Sequence, residues 1–418
     1  MSATITTYLK DRTVSTLSPL AFPVLLLKIY LFLNLYKALV GVLIGREILT
    51  ALSIVISIGL MAYFLTIDFL NGRIRKTKLV SFLTFGLFTF HLLYSILILR
   101  ASDVYPSLVS YFQISMPMVL LFVLDSLDKG ALDNIARFLV RCLVPFMIFG
   151  LIEFLLPIDF RKALYMEFSF IVRGERAIDV AYYLGDTDYQ GLRLGSLFFE
   201  PLTFAFVSAF LTIFLFSKRE SVKGIYSLVI NILSLGKLPI ATTLISLASK
   251  FFKSVYRLYY TFIFVAIITG VIYLARNAEK IAVENPSMGS HMVGLYFGLK
   301  NGLENPILGH GFGTAGYLSY LYYDSKKEEG PFRGLNGKMN GNESAIGVIT
   351  YQLGYVLLFL FMFFFISYFK RLIKGRQFLM ASGIVGYMLS LFLSESVLSV
   401  TVVSVALIFS KSLMARSE

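Results

Sequence analysis

The chain has 418 residues, of which 57% are hydrophobic and only 15% are charged, and its mean hydropathy is +0.76. A soluble domain carries about 25% charged residues, so this composition excludes a soluble enzyme built around one large core. The net charge of +13 would fit a nucleic-acid-binding protein, but most basic residues lie in short loops between apolar blocks, and we therefore predict no nucleic-acid partner.

The apolar residues form blocks of roughly 20, the length that crosses a bilayer core of about 30 Å. They predict an all-α, polytopic membrane protein with about twelve transmembrane helices in a single integral membrane domain, residues 1–418. No signal-peptide pattern opens the chain, so the first span is expected to remain as an anchor. The predicted spans are residues 20–41, 47–68, 79–99, 105–124, 135–156, 195–216, 222–236, 238–252, 257–275, 343–368, 377–393 and 396–412.

The seventh and eighth spans are short and are divided only by the stretch Leu235–Pro239, which also allows a broken or re-entrant pair. The remaining short loops alternate in charge. One set holds most of the lysines and arginines, and the positive-inside rule places that set and both termini in the cytoplasm. This topology leaves two large loops outside, residues 157–194 and residues 276–342. Loops of such length in a compact protein are usually functional or disordered.

The first outside loop ends in Arg193-Leu-Gly-Ser-Leu-Phe-Phe-Glu200-Pro201, where the chain re-enters the membrane. At headgroup level the forked guanidinium of Arg193 suits a pyrophosphate, and the alternative is an interfacial arginine that reaches lipid phosphate. Glu200 is predicted a few residues inside the span, where an ionisable side chain usually pairs or takes part in function. A pair with Arg193 is the alternative, and the two roles do not exclude each other.

The second outside loop contains Glu304-Asn-Pro-Ile-Leu-Gly-His-Gly-Phe-Gly313. Its glycines look like a phosphate loop but lack the strand before and the helix after, so we predict a tight turn that lets backbone approach a ligand. The loop closes in Asn342-Glu343-Ser344. Asn342 or Ser344 is a candidate N-cap, with Glu343 in the first helical turn. The other interpretation makes Glu343 a general base at the mouth of the bundle.

The three histidines are scattered along the chain. His91 lies in the middle of a predicted span and is expected to be packed or hydrogen-bonded rather than catalytic. His291 and His310 lie in the second outside loop, where they would contact phosphate or sugar. Because the three show no metal-ligand spacing, we predict no metal site.

Four motifs follow one another in a characteristic order. They are Arg193–Pro201, Leu233–Pro239 (Leu-Ser-Leu-Gly-Lys-Leu-Pro), Glu304–Gly313 and Asn342–Tyr355 (Asn-Glu-Ser-Ala-Ile-Gly-Val-Ile-Thr-Tyr-Gln-Leu-Gly-Tyr). Their order, spacing and topology resemble the O-antigen polymerase and O-antigen ligase superfamily, membrane glycosyltransferases that include capsule polymerases. The match runs from about residue 190 to residue 360.

The resemblance implies a GT-C-like fold in a bacterial cytoplasmic membrane and an inverting transferase that uses no metal, cofactor or nucleotide sugar. A glycan on undecaprenyl pyrophosphate would be the donor, and a second undecaprenyl-pyrophosphate-linked repeat unit would be the acceptor. A chain-length regulator protein is a further partner that the resemblance allows.

The resemblance also implies roles for individual residues. Glu343 stands where ligases usually carry histidine and polymerases often carry glutamate, so it is assigned the base. Arg193 and Lys237 match positions where the family commonly has arginine, which suits the leaving pyrophosphate. The other residues assigned to substrate or pyrophosphate binding are Arg173, Arg176, Glu200, His291 and His310.

Two departures from the family pattern stand out. Gly236-Lys237 replaces a common Ser-Arg, and Ser290-His291 stands where an arginine is often found. Glutamate at position 343 favours a polymerase over a ligase that transfers glycan to a lipid A-core acceptor. A flippase or other transporter is the alternative from a different class. Transporters usually concentrate charge near the bilayer midplane and keep outside loops short, which this chain does not.

Overall fold

The computed structural model describes residues 20–70, 76–99, 104–161, 194–198, 200–277, 280, 294–296, 298–315, 344–394 and 398–417. Within these ranges the chain is mostly helical and has no strand. The helices are α1 (Ala21–Leu35), α2 (Lys37–Ile44), α3 (Arg46–Leu70), α4 (Lys76–Tyr94), α5 (Val104–Leu124), α6 (Lys129–Leu155), α7 (Pro201–Ser217), α8 (Ser221–Leu233), α9 (Lys237–Ala248), α10 (Tyr256–Arg276), α11 (Ala345–Lys374), α12 (Phe378–Leu393) and α13 (Val400–Ser417).

Length and apolar character mark this as a membrane protein. In the described part of the chain, α3, α4 with the π-helical turn that continues it, α5, α6 and α11 are each long and apolar enough to cross a membrane, and the bent pair α1–α2 would make a sixth span. Helices α7, α8, α9, α12 and α13 are apolar but shorter. All-helical architecture is thus confirmed, whereas a count of twelve spans remains a prediction.

The first predicted span, residues 20–41, is bent in the structure, because α1 and α2 meet at 90°. The bend lies at Tyr36, whose backbone leaves the helical region at φ −92° and ψ 23°. The Tyr36 ring packs against Phe146 of α6, and its hydroxyl donates a hydrogen bond of 3.2 Å to the Cys142 carbonyl. The residues that Tyr36 contacts are more than a hundred positions away in the sequence. The sequence around Tyr36 therefore does not predict the bend.

Ion pairs gather several helix ends at one end of the bundle. Asp125, which follows α5, pairs with Arg371 of α11 at 3.3 Å and with Lys411 of α13. Asp133 of α6 accepts from Ser412 at 2.8 Å and lies 3.9 Å from Lys218, which follows α7. We call this the basic end. The helix ends that meet here are the ones that the charge pattern of the sequence predicts to be cytoplasmic.

Helices α8 and α9 form a hairpin that begins and ends at the basic end. Asn231 of α8 donates to the Ala205 carbonyl of α7 at 2.9 Å, and Thr243 of α9 donates to Asn231 at 3.1 Å. Lys250, just after α9, lies over the Phe216 ring at the end of α7. The arms have 13 and 12 residues, fewer than the roughly 20 that a full crossing needs. This geometry agrees with a re-entrant pair whose tip points to the opposite end.

Candidate functional site

Helix α11 is broken in its first third, and a loop from elsewhere in the chain fills the break. Gly354 has φ 73° and ψ 176°, which interrupts the helical ladder. Residues 305–313, called the inserted loop below, supply the missing partners. The backbone N–H groups of His310 and Gly311 donate to the carbonyls of Tyr351 and Gln352, each at 2.9 Å.

On the other side of the break, the Tyr355 N–H donates to the Pro306 carbonyl at 2.7 Å. Irregular backbone at membrane depth is tolerated only where protein or water satisfies its polar groups. The inserted loop provides that satisfaction and is thereby fixed to the span.

Two glycines make this close approach possible. Gly309 has φ 61°, and a Cβ there would lie 2.5 Å from the Gln352 backbone. A Cβ on Gly354 would lie 2.8 Å from the Pro306 carbonyl. The tight turn predicted around the glycines is present, but the group that approaches at Gly309 is the backbone of α11, whereas a ligand was predicted. Sequence spacing could not distinguish these two partners.

Buried side chains of α4, α5 and α11 bind the inserted loop and the residues just after it. Gln352 is fully buried, accepts from Ser110 at 2.6 Å and donates to the Ala315 carbonyl at 2.7 Å. His91 Nε2 lies 2.5 Å from the Leu308 carbonyl, so this nitrogen carries the hydrogen. Packing with a hydrogen bond was predicted for His91 and is confirmed. Just beyond α4, Ser95 Oγ accepts from the Phe312 N–H at 3.1 Å.

A short helical stretch before the inserted loop also packs on α11. A Cβ on Gly298 would lie 2.4 Å from Gly347, and a Cβ on Gly302 would lie 2.8 Å from the Thr350 side chain. Glycines four apart allow such contact between helix backbones. The Tyr355 hydroxyl donates to the Leu299 carbonyl at 2.6 Å. Both sides of the break are therefore covered by the segment between Gly298 and Ala315.

A second polar corner surrounds the start of α7. Glu153, in the last turn of α6, is only 1% exposed, and its carboxylate accepts from the N–H groups of Gly195 at 3.2 Å and Ser196 at 2.8 Å. Ser196 has φ 50°, and its hydroxyl donates to the Phe146 carbonyl at 2.6 Å. Glu153 was not among the predicted site residues. The available signal was a lone carboxylate within an apolar span.

Glu200 lies at the N-cap position of α7, with extended backbone at φ −142° and ψ 102°. The helix of this span therefore begins after Glu200, whereas the predicted span begins at residue 195. The reason is Pro201, which disfavours a helical residue before it and is itself suited to the first helical position. Half-buried at the helix start, the Glu200 carboxylate faces the favourable end of the helix dipole.

Lys237 begins α9 at the tip of the α8–α9 hairpin, and its side chain is exposed. A Cβ on the preceding Gly236 would lie 2.8 Å from the Ala205 side chain, about one turn from the start of α7. The tip thus brings Lys237 to the same corner as Glu200. Thr203, in the first turn of α7, adds a buried hydroxyl for which the described residues provide no hydrogen-bond partner.

The backbone of His310 is bonded to α11, whereas its imidazole ring is partly exposed to solvent. The imidazole stacks on Tyr351 at 4.1 Å between ring centres, and its Nε2 lies 3.6 Å from a Glu304 carboxylate oxygen. Ser344 caps α11 by accepting from the Gly347 N–H at 3.1 Å, which confirms one of its two predicted capping candidates. Because α11 begins at Ala345, position 343 precedes the cap, whereas the predicted span put it in the first turn.

The remaining predicted site residues lie outside the described part of the chain: Arg173, Arg176, Arg193, His291 and Glu343. No protein-family model matches the chain, and no curated protein matches it either. The candidate site is accordingly defined by the chain's own contacts, which are the inserted loop in α11 and the corner formed by Glu153, Glu200 and Lys237.

Proposed function

We propose that the chain is a membrane glycosyltransferase that polymerises undecaprenyl-pyrophosphate-linked oligosaccharide repeat units. The proposal is supported by the described parts of the four motifs, which lie away from the basic end. Glu200 precedes the start of α7, Lys237 lies at the hairpin tip, and the inserted loop joins the first third of α11. A polymerase of this kind needs a site at the outer membrane face, where both lipid-linked substrates are exposed.

The proposed reaction is an inverting displacement. The acceptor sugar hydroxyl attacks the anomeric carbon of the donor glycan, a new C–O bond forms, and the bond to undecaprenyl pyrophosphate breaks. Glu343 takes the hydroxyl proton. Arg193 and Lys237 stabilise the charge that develops on the departing pyrophosphate, and Arg173 and Arg176 add to the same field.

The inserted loop would position the acceptor side of this site. Its backbone is bonded to α11 on both sides of the break, and α11 begins directly after Glu343 in the sequence. His291 and His310 are then suited to contact sugar hydroxyls, and Glu200 to orient a cation at the start of α7. Groups fixed to a rigid span cost less to order when substrate binds.

The test is a reaction with purified protein in detergent and an undecaprenyl-pyrophosphate-linked repeat unit as the only substrate. A ladder of longer lipid-linked glycans, formed without metal or nucleotide sugar, is expected. Glu343→Gln should abolish the ladder, whereas Glu220→Gln, a matched change beside the basic end, should leave it intact. Near-normal glycan length in Glu343→Gln would remove Glu343 as the base.

The same assay distinguishes the alternatives. Transfer that requires an added lipid A-core acceptor would indicate a ligase. Inactivity with both acceptors, together with movement of the lipid between liposome leaflets, would indicate a transporter. Arg193→Lys tests bidentate binding of phosphate, because a lysine that works equally well would show that a simple charge suffices.

A further inference from the structure

A basic pocket lies between α1 and α6, far from the candidate site in the direction of the basic end. Its volume is about 410 Å³, and its lining contains three cationic side chains and no carboxylate. The lining residues are Lys28, Gly130, Asn134, Arg137, Phe138 and Arg141. The nearest acidic side chain within α6 is that of Asp133. It contacts Ser412 of α13 and Lys218, which follows α7.

Lys28 is already held in place without its charge being neutralised. Its ammonium donates to the Asn134 side chain at 3.1 Å and lies 5.5 Å from the centre of the Phe138 ring. Arg137 donates from Nε to the backbone carbonyl of Asp133 at 3.3 Å. Among the described residues, neither Arg137 nor Arg141 has a carboxylate partner. In the described part of the chain, three positive charges therefore line this pocket and no carboxylate does.

The pocket opens on an exposed face of α6 that we expect to face lipid. Arg137 and Arg141 are exposed, and the same stripe of α6 continues as Val144 and Ile148, which are 48% and 49% exposed. Long side chains of a helix lean toward its N-terminus, and the N-terminus of α6 is at the basic end. The two guanidinium groups thus reach toward the level at which phospholipid phosphates lie.

We propose that this pocket binds the phosphodiester headgroup of an anionic glycerophospholipid from the leaflet at the basic end. Guanidinium forks match phosphate oxygens, and basic pockets between transmembrane helices on the cytoplasmic side suit such headgroups. The site is independent of the proposed transferase reaction, because it lies at the opposite end of the bundle and uses none of the same residues.

The test uses the full chain in detergent and native mass spectrometry with added phosphatidylglycerol, cardiolipin or phosphatidylcholine. Both anionic lipids should bind more tightly than phosphatidylcholine. The double variant Arg137→Gln/Arg141→Gln should weaken phosphatidylglycerol binding roughly 10- to 30-fold, as expected for two basic groups near a lipid phosphate. The variant Lys223→Gln/Lys374→Gln removes the same charge from exposed positions elsewhere and should bind as the wild type does.

Several results would overturn the proposal: equal binding of phosphatidylcholine, wild-type affinity in the Arg137/Arg141 variant, or an equal loss in the control. Full competition by millimolar inorganic phosphate would mean a general anion site, and tighter binding of undecaprenyl phosphate would assign the pocket to the polyprenyl carrier. If the double variant does not elute as a folded species, the single Arg141→Gln replaces it, with an expected loss of about fivefold.

Discussion

The two ends of the bundle are held together by different chemistry. At the basic end, ion pairs such as Asp125 with Arg371 and Lys411 connect the ends of separate helices. Around the break in α11, neutral hydrogen bonds and glycine contacts bind the inserted loop to the backbone. Charged pairs tolerate small displacements and are weakened by salt, whereas backbone contacts at van der Waals distance allow no added atoms. We therefore expect substitutions that add atoms to destabilise the end with the candidate site more than the basic end.

The largest effect is expected for Gly309→Ala. Its φ of 61° disfavours any side chain, and the new Cβ would meet the Gln352 backbone at 2.5 Å. We expect a loss of about 3 kcal/mol or more in the free energy of unfolding, measured by denaturant titration in mixed micelles. Gly86→Ala is the control, because Gly86 of α4 has open space around it and alanine should stabilise the helix by about 0.5–1 kcal/mol. Equal behaviour of the two variants would contradict the inserted-loop geometry.

Glu153→Ala should have the next largest effect at the same end. The change leaves the N–H groups of Gly195 and Ser196 without their buried carboxylate, and such groups cost about 2–3 kcal/mol when unpaired. Glu153→Gln retains one acceptor oxygen and should lose less. The difference between the two variants in unfolding free energy measures the acceptor oxygen that Glu153→Gln retains. A negligible loss in Glu153→Ala would mean that the carboxylate does not organise the turn.

Gln352→Leu tests the side-chain bonds that join α11 to Ser110 of α5 and to Ala315, two residues after the inserted loop. The variant leaves the Ala315 carbonyl and the Ser110 hydroxyl without their partner, which should cost about 2 kcal/mol. A double-mutant cycle with Ser110→Ala should then show coupling, because the two side chains share a bond of 2.6 Å. Strict additivity would argue against that contact.

The smallest effect is expected at the basic end. Arg371→Gln removes one of two cations from Asp125 but leaves Lys411, and the Arg371 side chain is 33% exposed, so solvent screens part of the interaction. We expect a loss of at most about 1 kcal/mol, which shrinks further at high salt. The losses in Gly309→Ala and Gln352→Leu should not depend on salt. A salt-dependent loss in those variants would remove the contrast between the two ends.

Helix positions follow closely from the sequence, because membrane helices leave a strong apolar signal. The predicted span 105–124 matches α5 (Val104–Leu124), and the span 377–393 matches α12 (Phe378–Leu393). Helix α6 begins before the predicted residue 135 because Asp128 caps it, accepting from the Ala131 N–H at 2.7 Å. That cap has a local signal, and it extends the helix beyond its apolar block.

The candidate site was predictable only in part. Gly354 within an apolar span suggests an interruption, but nothing near it in the sequence shows that the inserted loop fills the break. Contacts between segments about 45 residues apart depend on the whole packing, and one sequence does not reveal them. For the same reason Glu153 looks like an isolated buried charge until its partners near Ser196 are seen.

The inserted loop has a consequence for biosynthesis. Residues 305–313 precede α11 in the chain, so a ribosome makes the loop before it makes the helix that the loop completes. When the interrupted segment enters the bilayer, the donors of His310 and Gly311 already exist on the nascent chain. Because the loop is made first, we expect the free carbonyls of α11 to find their donors as soon as the helix inserts. Unpaired backbone groups in hydrocarbon are costly. A circular permutant that places this loop after α11 should insert poorly even though its final contacts are the same.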